Sequence, residues 1–466
     1  MIKGLSTDLS GRNICVAGLG VSGRAAARVL AERGADVLLV DARDDPEQRE
    51  RARQLTARGV SVRLGDGETL PPGTELVVTS PGWRPDAPLL AEAARRGIEI
   101  IGEVELAWRL RGPDAAPWLA FTGTNGKTTA VRMLTCILTA AGYDTVAVGN
   151  VGTPIVEAVL EDHDVLAVEL SSYQLHWSST LAPQAAAILN IAPDHIDWHG
   201  SLEAYAADKG RIFGPGTVAV VNADDPLTVA LAAGADRRIG FTLGSPAPGE
   251  LGVVEDLLID RAFTADPLRE AEELAGLGDV HPFAPHNIAN ALAAAALARA
   301  FGVPSEAVRE GLRAFRPDPH RITHVATLGE VVYVDDSKAT NPHAAGASLA
   351  AFKTVVWIAG GLLKGADIDE LVRTCGPRLR GAVLIGTDRA QIAAALARHA
   401  PNVPVVEVAD TDTGAMDRVV IESARLAQPG DTVLLAPAGA SMDMFANYGA
   451  RGDAFAAAVR RMAETS

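Results

Sequence analysis

The feature that most constrains the fold is the motif G-T-N-G-K-T-T at residues 123–129, with an apolar run before it and apolar residues at helical spacing after it. A strand, a glycine-rich turn and a helix in that order aim backbone N–H groups at one point, which suits a phosphate group. Lys127 adds a cation, and the hydroxyl of Thr128 can bind Mg²⁺. The first glycine of the standard P-loop falls at Phe121, so a glycine-rich turn with an exposed lysine stays an alternative.

A second glycine-rich motif lies near the start of the chain. Residues 13–17 predict a strand, G-L-G-V-S-G follows at residues 18–23, and the next predicted strand ends at Asp41. This is G-x-G-x-x-G with an acidic residue about 20 positions further on, the dinucleotide fingerprint in its βαβ context. By itself the motif predicts NAD binding.

The length predicts about three domains, at ~150 residues per domain. Proline-containing stretches at residues 112–117 and 315–321 are the candidate boundaries. We predict an α/β protein with a Rossmann-like N-terminal domain, a central P-loop ATPase-like domain and a Rossmann-like C-terminal domain. Residues 236–280 are less regular, and no element is predicted there. The predicted domain ranges are 1–115, 116–317 and 318–466.

The last predicted domain has four apolar strands, each followed by small or polar residues. They lie at residues 331–334, 355–359, 382–385 and 432–436. Ligands of open parallel sheets bind at the carboxyl ends of the strands. Because lysines follow two of these ends, the pattern predicts a ligand crevice in a doubly wound domain.

Charge and cysteine usage exclude some classes of protein. The 466 residues carry a formal net charge of −16, from 42 basic and 58 acidic residues, which argues against general nucleic-acid binding. Cys15, Cys136 and Cys375 are too widely spaced for a disulfide framework or a metal motif, and their apolar surroundings predict buried thiols. The first residues lack the apolar segment of a signal peptide, and residues 289–301 are too few to span a bilayer. We therefore expect a cytoplasmic protein without membrane insertion.

Two residues at predicted strand ends are candidates for chemistry. Glu169 ends the apolar run 165–168, where a P-loop ATPase places its Mg²⁺-directed acid, although a helix N-cap or a surface acid is the alternative. His195 follows another apolar strand, in N-I-A-P-D-H. A single histidine is more often structural than catalytic, so a catalytic role for His195 is supported only by the residues around it.

Lys209 lies on the apolar stripe of a predicted helix, four residues after Tyr205. Such a lysine either extends its amine to water or is partly desolvated. Desolvation lowers the pKa of the amine and populates its neutral form. A neutral amine can take up CO₂ to give a carbamate, which can bind a metal ion. The spacing alone favours the extended, solvated side chain.

These motifs occur together in one order along the chain: G-T-N-G-K-T-T, E-L-S-S-Y-Q-L, N-x-x-x-D-H-x-D, a lysine in A-x-K-x-R-I, H-N-x-x-N and H-R. Together they resemble the Mur ligase family, ATP-dependent amide-forming enzymes of peptidoglycan precursor synthesis. D-D-S-K-A-T-N-P at residues 335–342, with S-P-G at 80–82 and P-A-G-A-S-M-D at 437–443, is similar to the branch that adds D-glutamate. The resemblance covers essentially the whole chain.

The resemblance implies that the chain acts on UDP-N-acetylmuramoyl-L-alanine and D-glutamate, as a monomer, with ATP, two Mg²⁺ ions and a carbamate on Lys209. Lys127, His195 and Lys209 would be catalytic. One Mg²⁺ would bind Thr128 and Glu169, and the second would bind His195 and the modified Lys209. The residues implied for ATP are Gly123, Thr124, Asn125, Gly126, Lys127, Thr128, Thr129, Asn290, Arg321 and Asp336.

The resemblance also assigns the other two substrates. In this family the first domain holds uridine diphosphate rather than NAD, and both ligands present a pyrophosphate to a helix N-terminus. The residues implied for the UDP substrate are Ser22, Asp41, Arg43 and Asn150. The residues implied for D-glutamate are Thr340, Lys364, Ser441 and Tyr448.

Two positions depart from the commoner family pattern. Leu363 stands where many relatives have aspartate, and Gly439 stands where cysteine is usual. Neither is a catalytic position, so only local packing and loop order come into doubt. Three other functions stay open: an NAD-linked oxidoreductase, a non-catalytic P-loop module, and a folylpolyglutamate-type ligase, which would lack the D-S-K-A-T-N segment.

Overall fold

The computed structural model describes residues 9–112, 114–410 and 414–465, which form three sheets flanked by helices. Most strand pairs are parallel, and their apolar residues are buried, as expected of sheets covered on both faces. The predicted α/β fold class is therefore confirmed. Residues 1–8, used for the signal-peptide prediction, and Pro113 of the predicted linker lie outside the described residues.

The first sheet is parallel, with the strand order β3-β2-β1-β4-β5. Its glycine-rich loop between the first strand and the first helix packs closely, because a Cβ on Gly23 would lie 1.9 Å from the carbonyl oxygen of Gly18. The elements are β1 (Asn13–Ala17), α1 (Val21–Glu32), β2 (Asp36–Asp41), α2 (Pro46–Thr56), β3 (Ser61–Leu64), β4 (Leu76–Thr79), α3 (Pro88–Arg95), β5 (Glu99–Gly102) and α4 (Glu103–Leu110).

The central sheet has the strand order β14-β13-β12-β11-β10-β9-β6-β8-β7. The less regular residues 236–280 extend its edge, where β12, β13 and β14 pair antiparallel. The strands are β6 (Trp118–Thr122), β7 (Thr145–Gly149), β8 (Val165–Glu169), β9 (Ala185–Ile188), β10 (Val218–Asn222), β11 (Arg237–Phe241), β12 (Glu250–Val254), β13 (Leu257–Asp260) and β14 (Glu272–Gly276).

The helices of this part of the chain include the phosphate-loop helix, which directly follows the motif at residues 123–129. They are α5 (Lys127–Ala140), α6 (Ile155–Ala158), α7 (Ser172–His176), α8 (Ile196–His199), α9 (Leu202–Gly210), α10 (Pro226–Leu231), α11 (Pro285–Phe301) and α12 (Ser305–Ala314), with a 3₁₀ turn at Leu277–Asp279.

The third sheet has the strand order β15-β16-β20-β17-β18-β19, with β15 antiparallel to β16. The strands predicted from sequence are β16, β17, β18 and β20, while β15 and β19 extend the two edges. The elements are β15 (Thr323–Leu328), β16 (Val331–Asp335), α13 (Pro342–Ala350), β17 (Val355–Gly360), α14 (Asp369–Cys375), a 3₁₀ turn (Gly376–Arg378), β18 (Leu379–Ile385), α15 (Arg389–His399), β19 (Val405–Glu407), α16 (Ala415–Leu426), β20 (Thr432–Ala438) and α17 (Tyr448–Thr465).

The described residues divide into two compact units. The first contains the first and central sheets, and the second contains the third sheet with residues 192–194 and 277–288. Within the first unit, Glu103 on α4 accepts the Val156 N–H at 2.8 Å, and Glu105 accepts the Ser179 N–H at 2.9 Å. Because helix α4 is bonded in this way to the central sheet's segments, the three domain boundaries stay a prediction.

Helix length and cysteine burial bear on two further expectations. In the described part of the chain, none of the helices is long and apolar enough to cross a membrane. Cys15 and Cys375 are buried, and burial raises the pKa of the Cys15 thiol to about 12. Cys136 is half-buried, which differs from the expectation for this residue.

Candidate functional site

The phosphate loop connects β6 to α5 and is held by Asn190, which follows β9, the neighbour of β6. The Asn190 side chain accepts the Asn125 N–H at 2.9 Å and donates to the Asn125 carbonyl at 3.1 Å. Its backbone carbonyl accepts the Thr124 N–H at 3.0 Å. Gly123 and Gly126 have φ values of 154° and 87°, which other residues rarely adopt. The loop is thus fixed by its neighbour strand as well as by its glycines.

Two lysines meet at one backbone oxygen of the loop. Lys127 Nζ donates to the carbonyl of Gly123 at 2.8 Å and to that of Thr124 at 2.9 Å. Lys209 Nζ donates to the same Gly123 oxygen at 2.8 Å. Lys127 is half-buried and folds back onto the loop, which does not match the alternative of a turn with an exposed lysine.

Lys209 is buried on α9, with 1% of its surface exposed, so its amine does not extend to water as the spacing alone favoured. The amine lies 3.4 Å from Thr122 Oγ1 and 4.6 Å from the centre of the Tyr205 ring. The Tyr205 hydroxyl donates to Thr124 Oγ1 at 3.0 Å, which joins α9 to the loop a second time. The amine is therefore largely removed from solvent.

Glu169 ends β8, beside β6, and is 1% exposed. Its Oε1 accepts from Asn150 Nδ2 at 2.8 Å, whereas its Oε2 has no hydrogen-bond partner within the described residues. A buried carboxylate oxygen without a donor is unfavourable unless a cation binds it. The N-cap of α7 is Ser171, in a capping box with Gln174, so Glu169 is not a helix cap. This oxygen and the Thr128 hydroxyl, on the second residue of α5, are ligand types that Mg²⁺ prefers.

His195 is the exposed residue that precedes α8. Its φ of 54° is uncommon for a residue with a side chain. Its ring centre lies 4.8 Å from that of Tyr173, which follows Glu169 by four residues. The segments that carry Glu169 and His195 are therefore in direct contact.

Asn290 on α11 lies against the phosphate loop. A Cβ on Gly126 would lie 2.3 Å from Asn290 Oδ1, so the asparagine occupies the space that a larger loop residue would need. Among the residues implied for ATP, the structure thus brings together the loop and Asn290. Arg321 and Asp336 lie in the second compact unit with neighbours of their own.

Of the residues implied for the UDP substrate, Ser22 lies within the glycine-rich motif of the first sheet, Asp41 hydrogen-bonds to that loop, and Arg43 contacts Asp41. The carboxylate of Asp41 accepts the Leu19 N–H at 2.7 Å and the Arg43 N–H at 2.9 Å. Ser22 is in the first turn of α1, and the Arg43 side chain is exposed. Asn150 lies elsewhere, at the end of β7 against Glu169.

Asp336 and Arg321 lie near the carboxyl end of β16. Asp336 is buried, accepts the Ile322 N–H at 3.3 Å and contacts the Ser348 hydroxyl. Burial raises the pKa of Asp336 to about 6, although the hydrogen bonds and the nearby Arg321 lower it in part.

The residues implied for D-glutamate follow three adjacent strands of the third sheet. Thr340 follows β16, Lys364 follows β17, and Ser441 follows β20, while Tyr448 begins α17. Since the carboxyl ends of parallel strands lie at one sheet edge, these side chains share that edge. Lys364 has a φ of 53°, a conformation uncommon for residues other than glycine.

Arg451 connects two of these loops and was not found from the sequence. Its guanidinium is buried and donates to Ser337 Oγ at 2.9 Å and to the Gly439 carbonyl at 3.0 Å. Burial lowers the pKa of Arg451 to about 10. Asn190 and Tyr205 were also not identified as site residues, although Asn190 begins the N-x-x-x-D-H motif and Tyr205 lies on the stripe of Lys209.

The structure explains both departures from the family pattern. Leu363 is buried in the apolar core of the third sheet, and its N–H donates to Asp388 at 2.8 Å. A Cβ on Gly439 would lie 2.9 Å from the carbonyl oxygen of Gly360, so glycine permits close packing of these loops. The departures alter local packing without placing a new charge at the sheet edge.

Three stretches of the chain match families of known domains. Residues 12–102 match the MurD-like N-terminal domain of Mur ligases, residues 121–298 the Mur ligase middle domain, and residues 320–439 the glutamate ligase domain of Mur ligases. Among solved structures, a pseudomurein peptide ligase type C from Methanothermus fervidus has a TM-score of 0.58 at 18% identity, covering 97% of this chain and 100% of that one. This likeness shows the shared fold.

Curated relatives are similar over nearly the whole chain. The UDP-N-acetylmuramoylalanine–D-glutamate ligase of Streptomyces avermitilis is 65% identical, covering 97% of this chain and 99% of the relative. The protein of the same name from Thermobifida fusca is 63% identical, covering 98% of this chain and all of the relative. Identity of this extent, together with the three matched domains, establishes that the chain belongs to the Mur ligase family.

Proposed function

We propose that the chain is an ATP-dependent ligase that joins D-glutamate to UDP-N-acetylmuramoyl-L-alanine. The observation that carries the proposal is the meeting of a phosphate loop, two lysines and a buried acid at adjacent strand ends, in a chain 65% identical to a ligase of that name. The matched domains and relatives support neither an oxidoreductase nor a non-catalytic nucleotide-binding module.

The reaction has two steps. A carboxylate oxygen of the L-alanyl group attacks the γ-phosphorus of ATP, the bond from that phosphorus to the β,γ-bridging oxygen breaks, and ADP leaves. The amine of D-glutamate then attacks the acyl carbon, loses a proton and displaces inorganic phosphate. Activation is needed because a carboxylate is a poor electrophile, and phosphate is a better leaving group than oxide.

Lys127 and the loop N–H groups would hold the β- and γ-phosphates and stabilise the charge that develops during transfer. Thr128 and Glu169 would hold one Mg²⁺, and His195 with a carbamate on Lys209 would hold the second. When bound, these ions reduce the repulsion between the anionic substrate and the triphosphate. The unpartnered Oε2 of Glu169 supports the first of these sites.

The carbamate would form when the neutral Lys209 amine bonds to the carbon of CO₂ and releases a proton. Burial supports this step, because it disfavours the charged ammonium and excludes competing water. The amine must also leave the Gly123 carbonyl or turn on it, since that oxygen now accepts its N–H. The modified side chain would present oxygen atoms where the amine is now.

The remaining substrates would bind at the other two sheets. The glycine-rich loop of the first sheet, with Ser22, Asp41 and Arg43, would hold the uridine diphosphate, and Asn150 would contact the sugar nucleotide. Asn290, Arg321 and Asp336 would contact the nucleoside and phosphate of ATP. Thr340, Lys364, Ser441 and Tyr448 would hold D-glutamate in a cytoplasmic enzyme that acts as a monomer on small molecules alone.

A phosphate-release assay with a panel of amino acids tests the proposal. Release should require ATP, UDP-N-acetylmuramoyl-L-alanine and D-glutamate together, and L-glutamate, L-alanine or meso-diaminopimelate should not replace D-glutamate. Slow ATP hydrolysis that is indifferent to the amino acid would indicate a nucleotide-binding module instead. Tight NAD binding without competition by UDP would contradict the role given to the first sheet.

A further inference from the structure

A buried cluster next to the phosphate loop is not used by the mechanism above. The Asp208 carboxylate lies 2.8 Å from His176 Nδ1 and 2.9 Å from His199 Nδ1, at the same oxygen. Its other oxygen lies 3.0 Å from the Arg211 guanidinium. His199 and Asp208 are almost completely buried, and the His176 side chain is 25% exposed.

Hydrogen bonds explain these distances better than a shared metal ion. Two ligand atoms on one tetrahedral zinc ion would lie about 3.3 Å apart, given metal–ligand bonds of about 2.0–2.1 Å. The two N···O distances are shorter and match ordinary charge-assisted hydrogen bonds. His199 Nε2 also has a partner, the Ser172 hydroxyl at 3.0 Å. The cluster is therefore a hydrogen-bonded triad of His176, His199 and Asp208.

Each member of the triad lies on a segment that carries one proposed metal ligand. His176 ends α7, which follows Glu169, and His199 ends α8, which follows His195. Asp208 directly precedes Lys209 on α9. The triad therefore bonds together the three segments that carry the proposed ligands of the two Mg²⁺ ions.

Tyr173 on α7 adds a contact between the triad and a ligand. Its ring stacks on His199 at a centroid distance of 5.5 Å and an interplanar angle of 13°. The same ring lies 4.8 Å from that of His195. The Tyr173 ring therefore contacts both a member of the triad and a proposed metal ligand.

We propose that Asp208 is a positioning residue that, through His176 and His199, fixes the segments of Glu169, His195 and Lys209 for metal binding. The inference rests on the proposed function, because it takes these three residues to be metal ligands. Residues that orient metal ligands without touching the metal commonly contribute roughly 10–100-fold to metal affinity.

The test compares Asp208→Asn with Glu203→Gln. Both substitutions remove one negative charge from α9 and keep the side-chain size, but Glu203 is exposed and outside the triad. Asparagine keeps a single carbonyl oxygen, and its amide would face either a histidine N–H or the Arg211 guanidinium. The readout is Mn²⁺ affinity in the presence of ADP, measured by electron paramagnetic resonance on the intact chain.

We expect Asp208→Asn to weaken Mn²⁺ binding about tenfold or more. The affinity for UDP-N-acetylmuramoyl-L-alanine, measured by calorimetry, should change less than about twofold, because that substrate contacts the first sheet. In turnover, the Mg²⁺ concentration for half-maximal rate should rise by the same factor while the KM for D-glutamate stays constant. Glu203→Gln should give the same values as the chain without substitutions in all of these measurements.

An unchanged Mn²⁺ affinity in folded Asp208→Asn would overturn the proposal. The absence of Mn²⁺ binding by the chain without substitutions, in the presence of ADP, would also overturn it. A uniform loss of all affinities would indicate a purely structural role and would also overturn it. If Asp208→Asn does not fold, His176→Gln, at the partly exposed member, decides by the same measurement. Mn²⁺ binding without amide formation would contradict the proposed function and still leave the triad tested.

Discussion

The amine of Lys209 donates a hydrogen bond to the carbonyl oxygen of Gly123 at 2.8 Å, and Lys127 donates to the same oxygen at the same distance. The unmodified Lys209 is therefore a donor to the phosphate loop. A carbamate would keep one N–H and add two acceptor oxygens at this position, so modification would replace a cation by a ligand for a cation. Two roles of Lys209 can thus be tested separately, that of a cation that donates to Gly123 and that of a carbamate that binds a metal ion.

Lys209→Ala should lower the turnover number about a hundredfold or more, because it removes a proposed metal ligand. A small carboxylic acid such as acetate should restore part of the rate by binding where the carbamate would lie. Lys209→Arg is the matched variant, since it keeps a cation near Gly123 but cannot form a carbamate at neutral pH. Full activity of Lys209→Arg would show that the cation alone matters and would refute the carbamate.

Lys127→Ala should reduce turnover about 10³-fold, because it removes the loop cation that would stabilise the transferring phosphoryl group. Binding of the UDP substrate should survive within about twofold, as judged by calorimetry, since the first sheet supplies that site. Loss of UDP-substrate binding in this variant would mean that the substrate sites are wrongly assigned between the first and central sheets.

Gly126→Ala should raise the KM for ATP about tenfold to a hundredfold, because its Cβ would push against Asn290 and displace the loop. Gly142→Ala is a matched control: its φ of 86° equals that of Gly126 within a degree, yet a Cβ there meets nothing within 4 Å. Both variants should lose about 1 kcal/mol of stability from the positive φ. Equal KM values for ATP in the two variants would contradict the proposed effect of the contact with Asn290.

Glu103 and Glu105 on α4 should give opposite dependences of stability on pH. Burial raises the pKa of Glu103 from its ordinary 4.5 to about 7, against the hydrogen bond from Val156. The folded state then binds this proton more tightly than the unfolded state, so stability falls as the pH rises from about 4.5 to about 7. Over this range the free energy of unfolding falls by about 3 kcal/mol.

Burial raises the pKa of Glu105 as well, but hydrogen bonds from Thr180, Ser179 and Arg109 more than offset it and leave the pKa lowered. The stabilisation of the fold by ionised Glu105 is present above pH 4.5 and is lost as the pH falls through the pKa of Glu105 in the folded state. We measure the free energy of unfolding by urea titration at several pH values. Relative to the chain without substitutions, Glu103→Gln should become more stable as the pH rises towards 7, and Glu105→Gln should be destabilised most at neutral pH. Parallel pH profiles for the three proteins would contradict these assignments.

The sequence was sufficient for the strand–loop–helix at residues 118–140 and for the acid at the end of β8, because both depend on local patterns. The bonds from Asn190 to the phosphate loop were not predictable, since they depend on β9 lying beside β6 in the sheet. The triad around Asp208 is likewise assembled from three separate segments. Strand order and such contacts are non-local, and spacing along one chain does not encode them.

Residues 236–280 show a different limit. The strands β11 to β14 are short and carry charged residues such as Arg237, Glu250 and Glu272, which weakens the alternation that identifies strands. Three of them pair antiparallel at the sheet edge, where one face can meet solvent. Their pairing therefore follows from neighbouring strands rather than from a strong local pattern.

Leu363 gives the loop that carries Lys364 a distinct thermodynamic character. An aspartate at this position, as in the commoner family pattern, would anchor the loop by charge, and dissolved salt would weaken that anchor. The buried leucine anchors it instead by removing apolar surface from water, a contribution with a large heat capacity and little response to ionic strength. Order in this loop should therefore persist at high salt and weaken on cooling.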